Sequence, residues 1–236
     1  MKRTVGIILV CVLLLAAITV VSVRITDVEI TGNQWYTNEQ LENLLFPTAV
    51  SKNSTYCFIR GILKKKETIP FVQDYKITFV SPVKVEVIVY EKSIVGYISY
   101  MGSNMYFDKD GIIVESSAKK LEGIPLISGL KFGEIVLYKP LPVQDKKIFS
   151  AILNLTQSLS TYNIAVDMIR YDASGNATLV IQKINVLLGG SSEMNGKISE
   201  LANILSQTQI KDMRGTLDLQ NYDPNSSNIT YSFKER

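Results

Sequence analysis

Apolar positions change period several times along this chain, and each period predicts an element. Residues 5–23 carry no charge and are broken only by Gly6, Thr19 and Ser22. At about 1.5 Å per residue such a run makes a helix as long as a hydrocarbon core is thick. Asp27-Val28-Glu29-Ile30-Thr31 alternates like a strand and meets a Gly32-Asn33 turn. Thr37-Asn38-Glu39-Gln40 is a capping box, and Leu41, Leu44 and Leu45 continue it as a helix face stopped before Pro47. Tyr56, Ile59, Ile62 and Leu63 recur at helical spacing and predict a second helix, closed by Lys64-Lys65-Lys66. Two strands follow, 75–80 and 84–91, joined by Ser81-Pro82.

Beyond residue 93 the pattern is mostly of period two. Tyr97 to Tyr100 and Met105 to Asp108 predict a hairpin around Gly102-Ser103-Asn104, and Asp110-Gly111 turns into Ile112-Ile113-Val114. Ile148, Ile152, Leu155 and Leu159 predict a helix, and Met194, Ile198, Leu201 and Leu205 another. Between them, 166–171 and 177–182 predict a hairpin, and Asn185-Val186-Leu187-Leu188 a buried strand. The last expected strands are 215–219 and 228–233. The fold class is α+β, with an N-terminal transmembrane helix and a mainly antiparallel second region holding two helices.

Composition narrows the chemistry. The 236 residues contain no histidine, which removes Ser-His-Asp and Cys-His triads and the commonest general base near neutral pH. Two cysteines cannot make a four-cysteine zinc site, and Cys57, read as a small buried apolar residue, has no partner beyond the apolar run. A net charge of +3, evenly spread, does not describe a nucleic-acid binder. Asp108-Lys109-Asp110-Gly111 lacks the first ligand of a calcium loop, because Tyr106 stands there, and reads as a hairpin. Two S-x-x-K matches, at Ser81 and Ser116, lie at a turn and in a loop, with no K-T-G anywhere. No cofactor is called for.

Lys2 and Arg3 precede the apolar run and only Arg24 follows closely, so the N-terminus is expected in the cytoplasm and the remainder outside. The run is longer than a signal-peptide core, and Val20 and Ser22 make a poor cleavage site, so an uncleaved anchor is expected. Trp35 is read as a partner-facing aromatic, a core anchor or a membrane-interface residue.

The element order of the first region is that of a POTRA domain (βααββ), and the whole chain resembles the FtsQ/DivIB cell-division proteins. The stretches that carry the resemblance are Asp27 to Asn33, Ser81-Pro82 to Glu91-Lys92, Tyr106 to Gly111, Ile124-Pro125-Leu126-Ile127-Ser128-Gly129, Val186 to Gly189 with Lys197 and Leu201, and Thr216-Leu217-Asp218-Leu219. Gln220 stands where the family usually has Arg. The resemblance implies a cytoplasmic tail at 1–4, a transmembrane helix at 5–23 in contact with membrane lipid, a POTRA domain at 24–93, a β domain at 94–233 and a tail at 234–236. It implies a non-enzymatic scaffold of the division machinery in the bacterial cell membrane, enriched at the septum. Implied partners are FtsL-type and FtsB/DivIC-type bitopic proteins, and with them the septal peptidoglycan synthase. In such proteins the last strands accept a partner strand by edge pairing, which here points to Thr216, Leu217, Asp218, Leu219, Ile229, Tyr231 and Phe233. Ile229, Tyr231 and Phe233 share one face by alternation, and core filling is the competing role for each. Two other classes remain beside the scaffold: an anchored wall hydrolase using paired carboxylates, and a POTRA-bearing secretion or assembly component.

Overall fold

The computed structural model describes residues 7, 22–62, 66–207, 214–226 and 231–235. The expected membrane span lies outside these residues except for Ile7, Ser22 and Val23. Among the described residues no helix is long and apolar enough to cross a membrane. The chain divides into two compact units, Met1–Lys92 and Ser93–Arg236.

Unit 1 has the order strand, helix, helix, strand, strand: β1 (Asp27–Thr31), α1 (Asn38–Leu45), α2 (Ser54–Ile62), β2 (Val72–Ser81) and β3 (Lys84–Glu91). The sheet order is β1-β3-β2, with β1 parallel and β2 antiparallel to β3. Strand β3 is central because its alternation is the strictest: Val85, Val87 and Val89 are buried against Ile30, Leu41 and Leu45. The capping box at α1 forms as expected, with the Thr37 hydroxyl accepting from Gln40 N and the Gln40 side chain from Thr37 N. Gly32 sits at a positive φ of 85°, and a Cβ there would collide with the Val89 carbonyl. Beyond it, one Glu91 carboxylate oxygen accepts from the amides of Gln34 and Trp35 at 2.8 and 3.0 Å, which ties the turn after β1 to the end of β3.

The second helix forms where the spacing predicts it, with its large apolar residues outward. Ser54 and Cys57 are its buried residues, whereas Tyr56, Ile59 and Ile62 are exposed, and Leu63 lies outside the described residues. The side chains this short helix buries are small, and its large apolar residues stay exposed. Burial pushes the Cys57 thiol pKa up, with Arg60 opposing.

Unit 2 is one nine-stranded sheet, in the order β12-β11-β10-β9-β8-β7-β4-β5-β6, mostly antiparallel. Its strands are β4 (Gly96–Tyr100), β5 (Ser103–Phe107), β6 (Ile113–Ser117), β7 (Leu126–Ser128), β8 (Met168–Tyr171), β9 (Ala177–Ile181), β10 (Ile184–Gly189), β11 (Gly215–Asp218) and β12 (Ser232–Glu235). Helices α3 (Lys146–Thr161) and α4 (Met194–Gln207) share its core. Asp145 caps α3 through bonds from Lys147 N and Ile148 N. Ile152, Leu155 and Leu159 from α3, with Ile198 and Leu201 from α4, pack on Ile169, Leu179, Val186 and Leu217. Each helix bridges a parallel pair, α3 between β7 and β8 and α4 between β10 and β11.

Three local expectations shift. The β4–β5 hairpin turns on Met101-Gly102, both at positive φ, rather than on 102–104. Residues 126–128, for which the pattern predicts no strand, form the three-residue β7 between β4 and β8. The final strand, expected at 228–233, lies at Ser232–Glu235. The Asp108 hairpin holds: its carboxylate accepts from Asp110 N and Ile112 N, both at 2.9 Å. Among the described residues no cluster of three His, Cys, Asp or Glu side chains could hold a metal ion.

Candidate partner-binding edge

The candidate site is the end of the large sheet at β10, β11 and β12. Strand β10 runs out at Gly189, whose φ is 66°, into Gly190. Lys197, in the first turn of α4, is 2% exposed. Its ammonium donates to the Leu188 carbonyl at 2.7 Å and reaches the Gly190 carbonyl at 3.4 Å. Burial lowers its pKa, with Glu193 opposing. One residue earlier, a Cβ at Gly196 would strike the Tyr222 ring. The end of β10, the start of α4 and the loop after β11 are therefore locked together. This gives physical content to the glycine and lysine that carry the sequence resemblance there.

Strand β11 lies between β10, to which it is parallel, and β12, to which it is antiparallel. Leu217 and Leu219 are buried, and Leu219 N continues the β10 ladder by donating to the Leu187 carbonyl at 2.9 Å. Thr216 and Asp218 lie half-buried on the opposite face, and Asp218 accepts from Gln220 N at 2.9 Å. Both edges of β11 are occupied, so its backbone has no ladder to offer a partner. Of the residues expected for edge pairing, 216–219 therefore lie inside the sheet, and β12 is the last described strand at this end.

Strand β12 is last in the sheet order. Gly215 lets it close on β11, because a Cβ there would collide with the Lys234 carbonyl and the Phe233 ring. Phe233 pairs with Leu217 and packs, half-buried, against the core. Tyr231 precedes the strand and is exposed, and Ile229 lies outside the described residues. Ser232, Lys234 and Glu235 are exposed. Lys234 and Glu235 are edge residues that residue-by-residue reading passed over, because the apolar alternation of 229, 231 and 233 placed the strand at 228–233 and not at 232–235.

The arrangement offers main-chain hydrogen bonding along an edge, with the half-buried Phe233 beneath to hold the register. The other notable surface is in unit 1, where α2 and β2 flank an apolar groove of about 600 Å³ lined by residues such as Phe58, Ile62, Ile77 and Phe79.

No family model matches the chain. Among curated proteins it is similar to a cell division protein DivIB of Clostridium acetobutylicum, at 20% identity over 217 residues, spanning 89% of this chain and 84% of that protein. The alignment runs through both units, and with the motifs named above it supports assigning the chain to the FtsQ/DivIB family.

Proposed function

We propose that this chain is a non-enzymatic, single-pass membrane scaffold of the bacterial division machinery. Residues 5–23 anchor it with the N-terminus in the cytoplasm. The first unit acts as a POTRA domain and the second as the β domain that engages FtsL-type and DivIC-type membrane partners, and through them supports septal wall synthesis. The observation that carries the partner reading is the position of β12, a terminal strand whose inner edge is paired to β11 and whose outer edge meets no described strand. Support for the division role comes from the likeness to DivIB along most of the chain.

Two experiments test it. A fluorescent protein fused ahead of Met1 is expected as a midcell band that appears with constriction, and uniform envelope fluorescence through the cell cycle contradicts the division role. Alternate amides of an antiparallel strand point to opposite edges. Of two double variants, Ser232→Pro with Lys234→Pro and Phe233→Pro with Glu235→Pro, one therefore strikes only outward amides. That one should keep the fold and lose co-purification with a DivIC-type partner, as should Tyr231→Lys in weaker form. Capture unchanged in both well-folded double variants contradicts strand addition at β12.

A further inference from the structure

Unit 1 has one end at which the chain enters, and that end is tightly built. The Val23 carbonyl accepts from Ser54 N at 3.0 Å and from the Asn53 side-chain amide at 3.3 Å. Ile25 N donates to the Lys52 carbonyl at 2.7 Å, and Thr26 N and Asp27 N donate to the Val83 carbonyl at 2.9 and 3.1 Å. The Ser54 hydroxyl donates to the Pro82 carbonyl. The last residue of the uncharged run is thus bonded directly to the start of α2, beside the loop before that helix and the β2–β3 turn.

Bulky apolar side chains stand on this rim without cover. Val50 is 61% exposed, Val80 55% and Val83 45%. Unit 1 exposes other apolar side chains along α2 and β3, but Val50 and Val83 lie in the segments bonded to the chain entry, where the Val50 carbonyl accepts from Asn53 N and the Val83 carbonyl from Thr26 N. Arg24 is exposed beside them. The opposite end of the unit, where Tyr90 is also exposed, lies away from the chain entry. Lys84 begins β3 at the rim, and Glu91 ends it roughly 23 Å away at ~3.3 Å per residue, where its carboxylate holds the amides of Gln34 and Trp35.

We infer that this rim is a lipid-contacting surface, seated in the interfacial layer of the bilayer, with Val50 and Val83 at the boundary between headgroups and acyl chains and Arg24 among the phosphates. The occupant is lipid because the chain reaches the rim straight from an uncharged 19-residue run that ends at Val23. The inference rests on reading residues 5–23 as the anchor. It makes unit 1 stand on the membrane by a defined end instead of swinging on a free tether.

The single tryptophan makes the test clean, since Trp35 lies at the far end of the β3 ladder. The full chain is reconstituted in phosphatidylcholine and phosphatidylglycerol vesicles with and without bromine on the upper acyl chain. The unsubstituted protein reports from Trp35. Two further proteins carry Trp35→Phe together with Val83→Trp or Val50→Trp. Both are expected to lose emission in brominated vesicles, with a blue-shifted maximum, while the unsubstituted protein loses none. Proteins that float with the vesicles but show no quenching at either rim position overturn the rim contact and leave the anchor standing. Equal quenching from Trp35 overturns it too, because the unit would then lie on a broad face. Failure to float with vesicles removes the anchor and the inference with it.

Discussion

The nine-stranded sheet has two edges, and the chain treats them differently. At β6 a later segment returns over the start of the edge. Ile113 N donates to the Lys139 carbonyl at 3.0 Å, Tyr138 N donates to the Ile113 carbonyl at 2.7 Å, and Ile112 bridges Pro140. The Gly111 carbonyl accepts from Leu141 N at 2.9 Å. At β12 no described segment returns. An open edge is a liability that folded proteins cover, shorten or charge. Here β12 is short and carries Lys234 and Glu235, which discourages indiscriminate pairing, yet its ladder is left available. The difference teaches where a partner strand would add under the proposed function: one edge is partly closed by its own chain, and the other is charged and meets no described segment.

The comparison can be broken most forcefully at the glycines that set each edge. Gly111 leads into β6 at a φ of 76°, and a Cβ there would overlap the Phe149 ring in the core. Gly111→Val is expected to destabilise unit 2 by about 2–5 kcal/mol, from left-handed strain plus overpacking, read as a lower urea midpoint. Gly215→Val acts at the other edge, where the collision is with β12. Its cost should be smaller, about 1–3 kcal/mol, and amide-exchange protection should be lost selectively at 232–235. If Gly215→Val instead unfolds the unit as broadly as Gly111→Val, β12 is part of the cooperative core and no separable docking edge.

Lys197 sharpens the comparison because it holds the β10 end that supports β11 and β12. Lys197→Met removes the donor to the Leu188 and Gly190 carbonyls and should cost about 1–3 kcal/mol. The pH dependence has a definite sign. Burial lowers the folded pKa below 10.5, so between the two pKa values the unfolded chain holds the proton and the folded one does not. Stability contributed by this site therefore rises with pH toward 10.5, and Lys197→Met should lack that rise in chemical denaturation across alkaline pH.

The smallest effect belongs to the middle of the sheet, equally far from the argument over edges. Tyr171 is buried, and its hydroxyl has no hydrogen-bond partner among the described residues. Burial pushes its pKa up to about 12. The folded state thus keeps the proton after the unfolded state has released it, and stability falls as pH rises from 10 towards 12. Tyr171→Phe should be neutral or stabilising by up to about 1 kcal/mol and should not show that alkaline loss.

The elements with clean periodicity and a cap were legible in the residues. Leu41 and Leu45 behind the Thr37 box, and Ile152, Leu155 and Leu159 in α3, fall where helical spacing puts them. The face of α2 was not, because its largest apolar residues point outward and the residues that face the sheet are Ser54 and Cys57. Three-residue β7 was invisible as a strand, since alternation needs more length than Leu126-Ile127-Ser128 provides. At the candidate site, the alternation marked the C-terminal strands but not which of them is outermost. That depends on β11 pairing in parallel with β10 after α4, a long-range choice that local pattern does not carry. Glu91 and Lys197 were visible as motif residues, but their roles, holding two amides and two carbonyls, needed the fold.

The most direct measurement is amide hydrogen exchange on the second unit within the full chain, alone and with a purified DivIC-type partner bound. The account predicts new protection at Ser232–Glu235 and unchanged exchange at Ile113–Ser117. Protection confined to the β6 edge, or none at either edge despite stable binding, would contradict it.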